Sequence, residues 1–289
     1  MNQLEAIRAS MQGITHATYS FWPQVIVFVS AFFVEAGTFA LLRARGHKIV
    51  LLHTESPYQD TEQLTRAPFG DINLINDPVN LARYQELGPA YYIPHAYRPD
   101  VHHPRTGPVN PELAADLTFI GTAFESRVRF FEAMVTQPGF AGLDFLLGGS
   151  YWKEETGEGS PLRAYLSQDA ACVDNAETAE LYRHAACGIN LYRRESEEEH
   201  AGEGWAMGPR EVEMAASRLF FLRDPRPESD EVLGMLPSFA TPEDAAEQLR
   251  WWCRHEAERE EAARKAQVAI ADRTFASHAR KLLGWLEQL

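Results

Sequence analysis

The sequence has few cysteines and no long apolar run. Its three cysteines, Cys172, Cys187 and Cys253, form no even framework of the kind that staples small secreted domains, and their spacing matches no zinc motif. The apolar run Val25 to Phe33 is far shorter than the roughly 20 residues that a membrane-spanning helix needs. We therefore expect reduced, mostly buried thiols, no membrane span and a cytoplasmic location.

The sequence also lacks an excess of basic residues. It holds 27 Lys and Arg against 41 Asp and Glu, which gives a formal net charge of −14. This charge argues against a surface that neutralises phosphates along a nucleic acid, and Arg43, Arg45 and Lys48 form the one close basic cluster of the first half. With 289 residues, 45% of them apolar, the chain is long enough for two domains with substantial cores.

Strands and helices alternate through the first hundred residues. The apolar spacing predicts helices at 3–18, 34–45 and 81–87, and strands at 25–29, 47–53, 71–76 and 91–93. The strand 25–29 is apolar without alternation, which is typical of a parallel sheet covered on both faces. The proline-rich segment from Pro94 to Pro111 then indicates a domain boundary near residue 100.

The second half repeats this alternation, which favours a doubly wound parallel sheet. The predicted strands are 117–121, 143–147, 187–192 and 219–223, and the predicted helices are 125–136, 161–167, 176–184 and 209–217. From Thr241 onward the chain is predicted to be almost entirely helical, because Thr241-Pro242 is a good helix start. A stripe formed by Phe275, Leu282, Leu283 and Leu286 predicts a last helix that packs on the body of the protein.

The most informative stretch runs from Gly208 to Ser217, directly before an apolar strand. Pro209 suits the first turn of a helix. Arg210 and Glu213 lie three residues apart near the N-terminus of that helix, the end that attracts phosphate. An arginine can grip a diphosphate, and a carboxylate can accept hydrogen bonds from both hydroxyls of a ribose. The pair therefore indicates a nucleoside diphosphate.

The order Pro-Arg-x-x-Glu-x-x-Ala before an apolar strand resembles the donor-site helix of GT-B glycosyltransferases. The resemblance is strongest to the CgeB-like, or spore-maturation-protein-like, group, whose C-terminal domain is of the glycosyltransferase group 1 type. Three other segments, 54–58, 92–97 and 116–122, agree in order and spacing, so the resemblance covers roughly residues 22–287. It implies an α/β protein of GT-B fold, with two Rossmann-like domains and a helical C-terminal tail.

The implied domains are an N-terminal acceptor-side domain at 1–100, a C-terminal nucleotide-sugar-binding domain at 101–270 and a terminal helix at 271–289 that packs back on the body. The N-terminal domain departs from the family, because it holds only three or four predicted strands where such domains usually have six or more. Three alternatives explain this shortening. The chain is a compact enzyme, of viral or other origin, or a subunit completed by a partner chain, or a degenerate homologue.

The resemblance implies a donor site in the second half. The residues expected there are Gly121, Thr122, Arg127, Asn190, Tyr192, Gly204, Gly208, Arg210 and Glu213. Gly121 and Thr122 end a strand at the carboxyl edge of the sheet, where α/β folds bind ligands. The glycines of the loop 202–208 let its backbone approach a ligand closely. The structural alternatives are strand-end turns for Gly121 and Asn190 and solvated helix positions for the charged residues.

Glu55 and His95 are the candidate catalytic residues of the first half. An acceptor hydroxyl loses its proton as it attacks the anomeric carbon, so a carboxylate or an imidazole can serve as the general base. Turn formation at Ser56-Pro57 and a capping role for His95 are the structural alternatives.

We expect no metal and no cofactor. The acidic run at 195–199 lacks the pattern of an EF-hand, and we interpret it as a solvated loop. No Asp-x-Asp motif occurs. The resemblance implies that helix dipoles and basic side chains stabilise the departing diphosphate instead.

The sequence thus predicts a metal-independent glycosyltransferase that moves a sugar from a nucleoside diphosphate, UDP by first choice, to a hydroxyl acceptor. A glycan, a protein and a modified DNA base are all candidate acceptors. The sequence leaves open whether the chain forms a homo-oligomer. The alternative is a nucleotide-sugar-binding or assembly protein without catalysis. A narrower variant is a phage-type enzyme that acts on modified DNA or on a virion protein, and the net charge disfavours DNA.

Overall fold

The computed structural model describes residues 2–167, 173–196 and 198–289, so Cys172 and Glu197 lie outside the described residues. The chain forms two compact units. Unit 1 comprises residues 1–94, 196–206 and 281–289, and unit 2 comprises residues 95–195 and 207–280. Each unit is built on its own four-stranded parallel sheet.

Unit 1 begins with a long helix and continues as alternating strands and short helices. Its elements are α1 (Gln3–Phe21), β1 (Val25–Val29), α2 (Ala36–Ala44), β2 (Lys48–His53), α3 (Asp60–Leu64), β3 (Ile72–Ile75), α4 (Leu81–Gln85) and β4 (Ala90–Tyr92). The strand order is β1-β2-β3-β4. The expectation of three or four strands is confirmed, with four in the described residues.

Both faces of the sheet in unit 1 are covered at its centre. Ile49, Val50 and Leu51 of β2 are all buried, as their unbroken apolar sequence predicts. The last residues of the chain cover one face, where Trp285 stacks on Tyr91 with ring centroids 4.4 Å apart.

Unit 2 holds the remaining elements. They are β5 (Ala115–Ile120), α5 (Glu125–Val135), β6 (Phe145–Gly148), α6 (Trp152–Glu155), α7 (Asn175–His184), β7 (Ala185–Ile189), α8 (Pro209–Ala216), β8 (Phe220–Leu222), α9 (Pro227–Leu233), α10 (Pro242–Arg254), α11 (Glu256–Ala269) and α12 (Phe275–Leu286), whose last six residues belong to unit 1. The strand order β6-β5-β7-β8 puts β5 and β7 side by side at the centre, as in a doubly wound sheet.

Helix α8 packs closely on this sheet because the facing residues are small. Ala215 and Ala216 are buried. Gly188 of β7 lies beneath the helix, and a Cβ there would come within 2.6 Å of the Met214 sulfur. The close approach expected for the small residues of this helix is therefore present.

Two sequence predictions in unit 2 and the tail need correction. The predicted helix at 161–167 is a 3₁₀ turn over Pro161–Ala164, because residues 165–167 are drawn alongside β6: Leu147 N donates to Tyr165 O and Ser167 N to Leu147 O. The predicted apolar stripe of α12 is only half right. Phe275 and Leu283 are exposed, whereas Leu282 and Leu286 pack inward.

No helix within the described ranges combines the length and the apolar character that crossing a membrane requires.

Candidate active site

The candidate donor residues of unit 2 meet at the carboxyl edge of its sheet. Strands β5 and β7 are parallel neighbours, with Thr118 opposite Gly188, so Gly121 and Asn190 follow them at the same edge. Helix α8 starts at this edge with Gly208 as its N-cap and Pro209 at its first position. The fold thus brings Arg210 to the ends of both strands.

The guanidinium of Arg210 is fixed on several sides. Its Nε donates to the carbonyl oxygen of Ile120 at 3.0 Å, and its Nη1 donates to Asn190 Oδ1 at 3.1 Å. The group lies over the ring of Phe119, 4.6 Å from the centroid. A pre-organised guanidinium at a helix N-terminus suits an anionic ligand, because little side-chain entropy remains to be lost on binding.

Gly121 has a steric reason to be glycine. A Cβ at this position would lie 2.3 Å from Nη2 of Arg210, so any side chain would displace the guanidinium. We weighed a strand-end turn as the structural reason for a glycine at position 121. The structure adds a second reason, which is the close approach of Arg210.

Asn190 carries a buried donor. The residue is 1% exposed, and among the described residues its Nδ2 has no hydrogen-bond partner. An unsatisfied buried amide costs about 1–3 kcal/mol, so natural structures rarely retain one without a reason. The adjacent Oδ1 already accepts from Arg210, so Nδ2 is a donor that the described residues leave unsatisfied.

Glu213 lies one helical turn after Arg210 on α8. Burial raises the pKa of its carboxyl group, and the positive charge of Arg210 opposes that effect, so the pKa is about 7. A carboxyl group that titrates near neutrality beside an arginine is typical of a functional site.

Tyr192 and Gly208 are held by a residue that our sequence analysis did not single out. Glu211 is fully buried, and its carboxylate accepts hydrogen bonds from Tyr192 Oη, from Gly208 N at 2.9 Å and from Ser229 Oγ at 2.6 Å. Burial raises the pKa of Glu211. Its position three residues after the N-cap is that of the glutamate in a capping box, of which Gly208, having no side chain, supplies only the backbone N–H, and this spacing identifies Glu211 in retrospect.

Arg127 and Thr122 belong to the same edge but are engaged with each other. Arg127 is 7% exposed. Its Nη1 donates to Thr122 O at 3.0 Å, and its Nε and Nη2 donate to Leu191 O at 3.2 and 2.8 Å. The guanidinium thereby ties the segments that follow β5 and β7 together. Contact of Arg127 with a diphosphate stays a prediction.

Gly204 and Glu55 belong to unit 1. Gly204 is buried in the loop before Trp205 and Ala206, whose N–H groups donate to Asp77 Oδ2 at 2.9 and 3.0 Å. Glu55 is the second residue after β2, and its carbonyl oxygen accepts from Tyr58 N at 2.7 Å. The turn that we weighed for Glu55 is thus present.

His95 belongs to unit 2. The neighbouring Tyr97 pairs with the segment before α12, since its N donates to Arg273 O at 2.9 Å. Burial, and then the charges of Arg273 and His278, lower the pKa of His95 to about 4. An imidazole with this pKa is neutral at pH 7 and is a weak base.

Two carboxylates of the acidic run, those of Glu195 and Glu198, are engaged in hydrogen bonds and are not simply solvated as the sequence suggested. Glu195 accepts from Ser126 N at 2.7 Å, and Glu198 accepts from Thr61 N at 2.7 Å. Both carboxylates therefore act as caps in their own unit. Within the part of the chain that the structure describes, no three His, Cys, Asp or Glu side chains group as a metal ion would require.

Comparison with solved structures gives the fold. A sucrose-phosphate synthase from Thermosynechococcus elongatus matches with a TM-score of 0.64 and 11% identity, over 98% of this chain and 78% of that one. A trehalose-6-phosphate protein from E. coli, described as bound with UDP-2-fluoro glucose, matches with a TM-score of 0.65 and 12% identity over the same shares. Anabaena HepE in complex with UDP matches with a TM-score of 0.63 and 9% identity, over 96% and 82%.

The family model described as glycosyl transferase-like matches residues 127–284, which is more than half of the chain. A search of curated protein sequences gives no match. The matched range contains Asn190 and Arg210, which meet at the carboxyl edge of the second sheet, and Glu213 on the same helix as Arg210. The chain belongs to the glycosyl transferase-like family and is a glycosyltransferase with the GT-B fold.

Proposed function

We propose that unit 2 binds a nucleoside-diphosphate sugar and that the chain transfers this sugar to a hydroxyl acceptor. The observation that carries the proposal is the buried Asn190 Nδ2, which has no acceptor within the described residues and lies beside the fixed guanidinium of Arg210. A diphosphate supplies both the oxygen that Nδ2 needs and the charge that Arg210 attracts.

Each residue has a role in this proposal. Arg210 and the N-terminus of α8 neutralise the charge that develops on the departing diphosphate, which is where fixed donors lower a barrier most. Glu213 accepts hydrogen bonds from the ribose hydroxyls. UDP is our first choice of nucleotide because two of the structural neighbours are described with UDP compounds. The order Pro-Arg-x-x-Glu supports placement in the CgeB-like group.

The test is a calorimetric titration of the protein with UDP-, GDP-, ADP- and dTDP-sugars. We expect saturable binding of at least one of them and weaker binding to the variant Asn190→Leu, which removes both polar atoms of the side chain. If none of the four binds, the proposed function is wrong.

Glu55 is the residue that we propose as general base. It is the second residue after a strand of unit 1, and a carboxylate can take the proton of an acceptor hydroxyl. His95 is the weaker candidate, because its lowered pKa of about 4 leaves little driving force for proton transfer.

The proposal includes a reaction that needs no metal ion. Because Arg210 and the α8 N-terminus stabilise the leaving group, we expect transferase activity to survive EDTA within about twofold of the untreated rate. The control is the same assay with added Mg²⁺ or Mn²⁺. Complete loss in EDTA that either ion restores would show that an ion is required.

Donor affinity should depend on pH through Glu213. With a pKa of about 7, the carboxyl group gains its charge as the pH rises from about 6 to about 8, and only the charged form accepts hydrogen bonds from both ribose hydroxyls. We expect affinity for UDP-glucose to rise about tenfold across this range. UDP-glucose is a suitable probe, because its doubly esterified diphosphate keeps its charge there.

Stability should change in the opposite direction. The pKa of Glu213 lies above its ordinary value of 4.5, so the folded state holds this proton more tightly than the unfolded chain does. The favourable contribution of the protonated form is complete below about pH 4.5 and is lost as the pH rises through about 7.

Glu213→Gln serves as the control for the affinity prediction and should flatten the dependence of donor affinity on pH. An affinity profile that is equally steep in this variant would contradict the role of Glu213.

A further inference from the structure

Two cysteines of unit 2 lie side by side where a helix packs on the sheet. Cys187 is on β7 and is fully buried, whereas Cys253 is in the last turn of α10 and is half-buried. Helix α10 packs on β7, and the two sulfur atoms are 3.9 Å apart. Both are free thiols in the structure. The fold thus brings together two thiols that are 66 residues apart in the sequence.

The cysteine pair lies on the face of the sheet opposite to helix α8. Side chains alternate between the two faces along a strand, so Cys187 and Gly188 face in opposite directions. Gly188 lies beneath α8, close to Met214. Cys187 therefore belongs to the face that α10 covers, and the pair is separate from the candidate donor site.

Aromatic residues next to both cysteines fix the end of α10 over the sheet. Phe220 of β8 is the register partner of Cys187, and Trp252 directly precedes Cys253. The ring centroids of Phe220 and Trp252 are 4.4 Å apart. Because these rings hold the end of the helix in place, the proximity of the two thiols is a property of the packed core.

The hydrogen bonds of the pair distinguish the two sulfur atoms. Cys253 Sγ donates to Asp116 O at 3.8 Å, so the hydrogen bond between the two sulfurs takes its proton from Cys187. This hydrogen bond lowers the pKa of the Cys253 thiol, whereas the same bond and then burial raise the pKa of Cys187. Because the thiolate is the nucleophilic form, Cys253 is the more reactive thiol of the two.

Cys253 is also the thiol that lies nearer to open space. Its carbonyl oxygen accepts from Arg259 Nη1 at 3.3 Å, and its sulfur contacts Asp116 O. Arg259 and Asp116 both line a cavity of about 620 Å³. A small oxidant therefore has an approach to the half-buried Cys253, whereas Cys187 is fully buried behind it.

We propose that Cys187 and Cys253 form a reversible oxidation site, at which a peroxide converts the two thiols into a disulfide. The Cys253 sulfur attacks hydrogen peroxide, the O–O bond breaks, and Cys253 becomes a sulfenic acid while one water molecule leaves with the thiol proton. The Cys187 sulfur then attacks the sulfenic sulfur, the S–O bond breaks, and the S–S bond forms. The departing oxygen takes the Cys187 proton and leaves as a second water molecule. The two sulfurs lose two electrons, which reduce the peroxide.

Formation of the bond requires only a small movement. The S–S distance of a disulfide is about 2.05 Å, so the sulfurs must approach by roughly 2 Å, which a rotation of the Cys253 side chain supplies. The bond would tie α10 to the strand that leads to Asn190. The inference does not rest on the proposed function, because no nucleotide sugar takes part in it.

The experiment uses the variant Cys172→Ser, because the chain has three cysteines and this change leaves only the pair. The folded protein is treated with hydrogen peroxide, and its free thiols and intact mass are measured after denaturation in an alkylating agent. We expect both thiols to be lost together, the mass to fall by two hydrogen atoms, and dithiothreitol to restore both thiols. A free Cys187 thiol beside an oxidised Cys253, or a disulfide between two chains, would overturn the proposal.

Two further variants in the same background separate the roles of the two cysteines. With Cys253→Ser, we expect Cys187 to keep its thiol, and its oxidation at the rate seen for the pair would contradict the order of the two steps. With Cys187→Ala, we expect the sulfenic acid of Cys253 to persist and to be trapped by dimedone. Equal trapping in the presence of Cys187 would show that Cys187 does not resolve the sulfenic acid, and that result also overturns the proposal.

The wild type provides a check that needs no substitution. After peroxide treatment of the folded chain, proteolysis without reduction is expected to give two peptides joined through Cys187 and Cys253. The joined peptides should be missing when the peroxide is left out. Peptides joined only through Cys172, or a Cys187–Cys253 bond that forms only in denatured protein, would refute a pair that the fold holds ready for oxidation.

Discussion

Replacement of Arg210 by alanine is expected to weaken binding of a nucleotide sugar, UDP-glucose by first choice, between tenfold and a hundredfold. The range follows from the loss of one charge-assisted contact, which is worth about 1.5–3 kcal/mol. The guanidinium is held by Ile120 O, Asn190 Oδ1 and the Phe119 ring, so the wild type meets the diphosphate with its cation already in place. The measurement is a calorimetric titration.

The control for this experiment is Arg129→Ala. Arg129 lies on α5 of the same unit, is exposed and pairs with Glu125 one turn away, so its loss changes the net charge equally without touching the site. We expect the affinity of this variant to match that of the wild type and the melting temperature of Arg210→Ala to fall by only a few degrees. Wild-type affinity in Arg210→Ala would remove the basis of the donor-site assignment.

Glu55→Gln is expected to lower turnover by about a hundredfold or more while donor affinity stays unchanged. The substitution keeps the size of the side chain but removes its ability to take a proton from the acceptor, and a general base contributes roughly this much to a rate. Two measurements are needed, kcat with a transfer assay and Kd for the donor by titration. The prediction requires that kcat falls and that Kd for the donor stays the same.

His95→Ala is the comparison for Glu55. Because the imidazole is neutral and lies near Arg273 and His278, we expect its removal to affect the stability of unit 2 more than the rate. Full turnover in Glu55→Gln would mean that Glu55 is not the base. If His95→Ala also keeps full turnover, a retaining mechanism that needs no protein base becomes the better account.

Much of the fold was predictable because it depends on local patterns. The apolar run of β2 and the Thr241-Pro242 start of α10 each predicted an element that the structure contains. The failure at 161–167 has a different origin. Residues 165–167 pair with β6, and the sequence around them carries no sign of a partner 20 residues away.

The residues of the candidate site were predictable from the sequence, but the contacts between them were not. The motif around Pro209 indicated Arg210 and Glu213, and strand ends indicated Gly121 and Asn190. That Gly121 accommodates the guanidinium of Arg210 depends on distances of ångströms between segments about 90 residues apart. Phe119 reads as an ordinary core aromatic, because nothing in its local sequence distinguishes a ring that supports an arginine from one that fills a core.

The most direct test of the central claim is an assay of nucleoside diphosphate release from UDP-, GDP-, ADP- and dTDP-sugars by the wild type, with Arg210→Ala beside it. We predict that at least one nucleotide sugar releases its diphosphate in a catalytic, protein-dependent reaction and that Arg210→Ala slows this release at least tenfold at a limiting donor concentration. Tight binding without release from any donor, or release at the same rate in both proteins, would contradict transfer at this site.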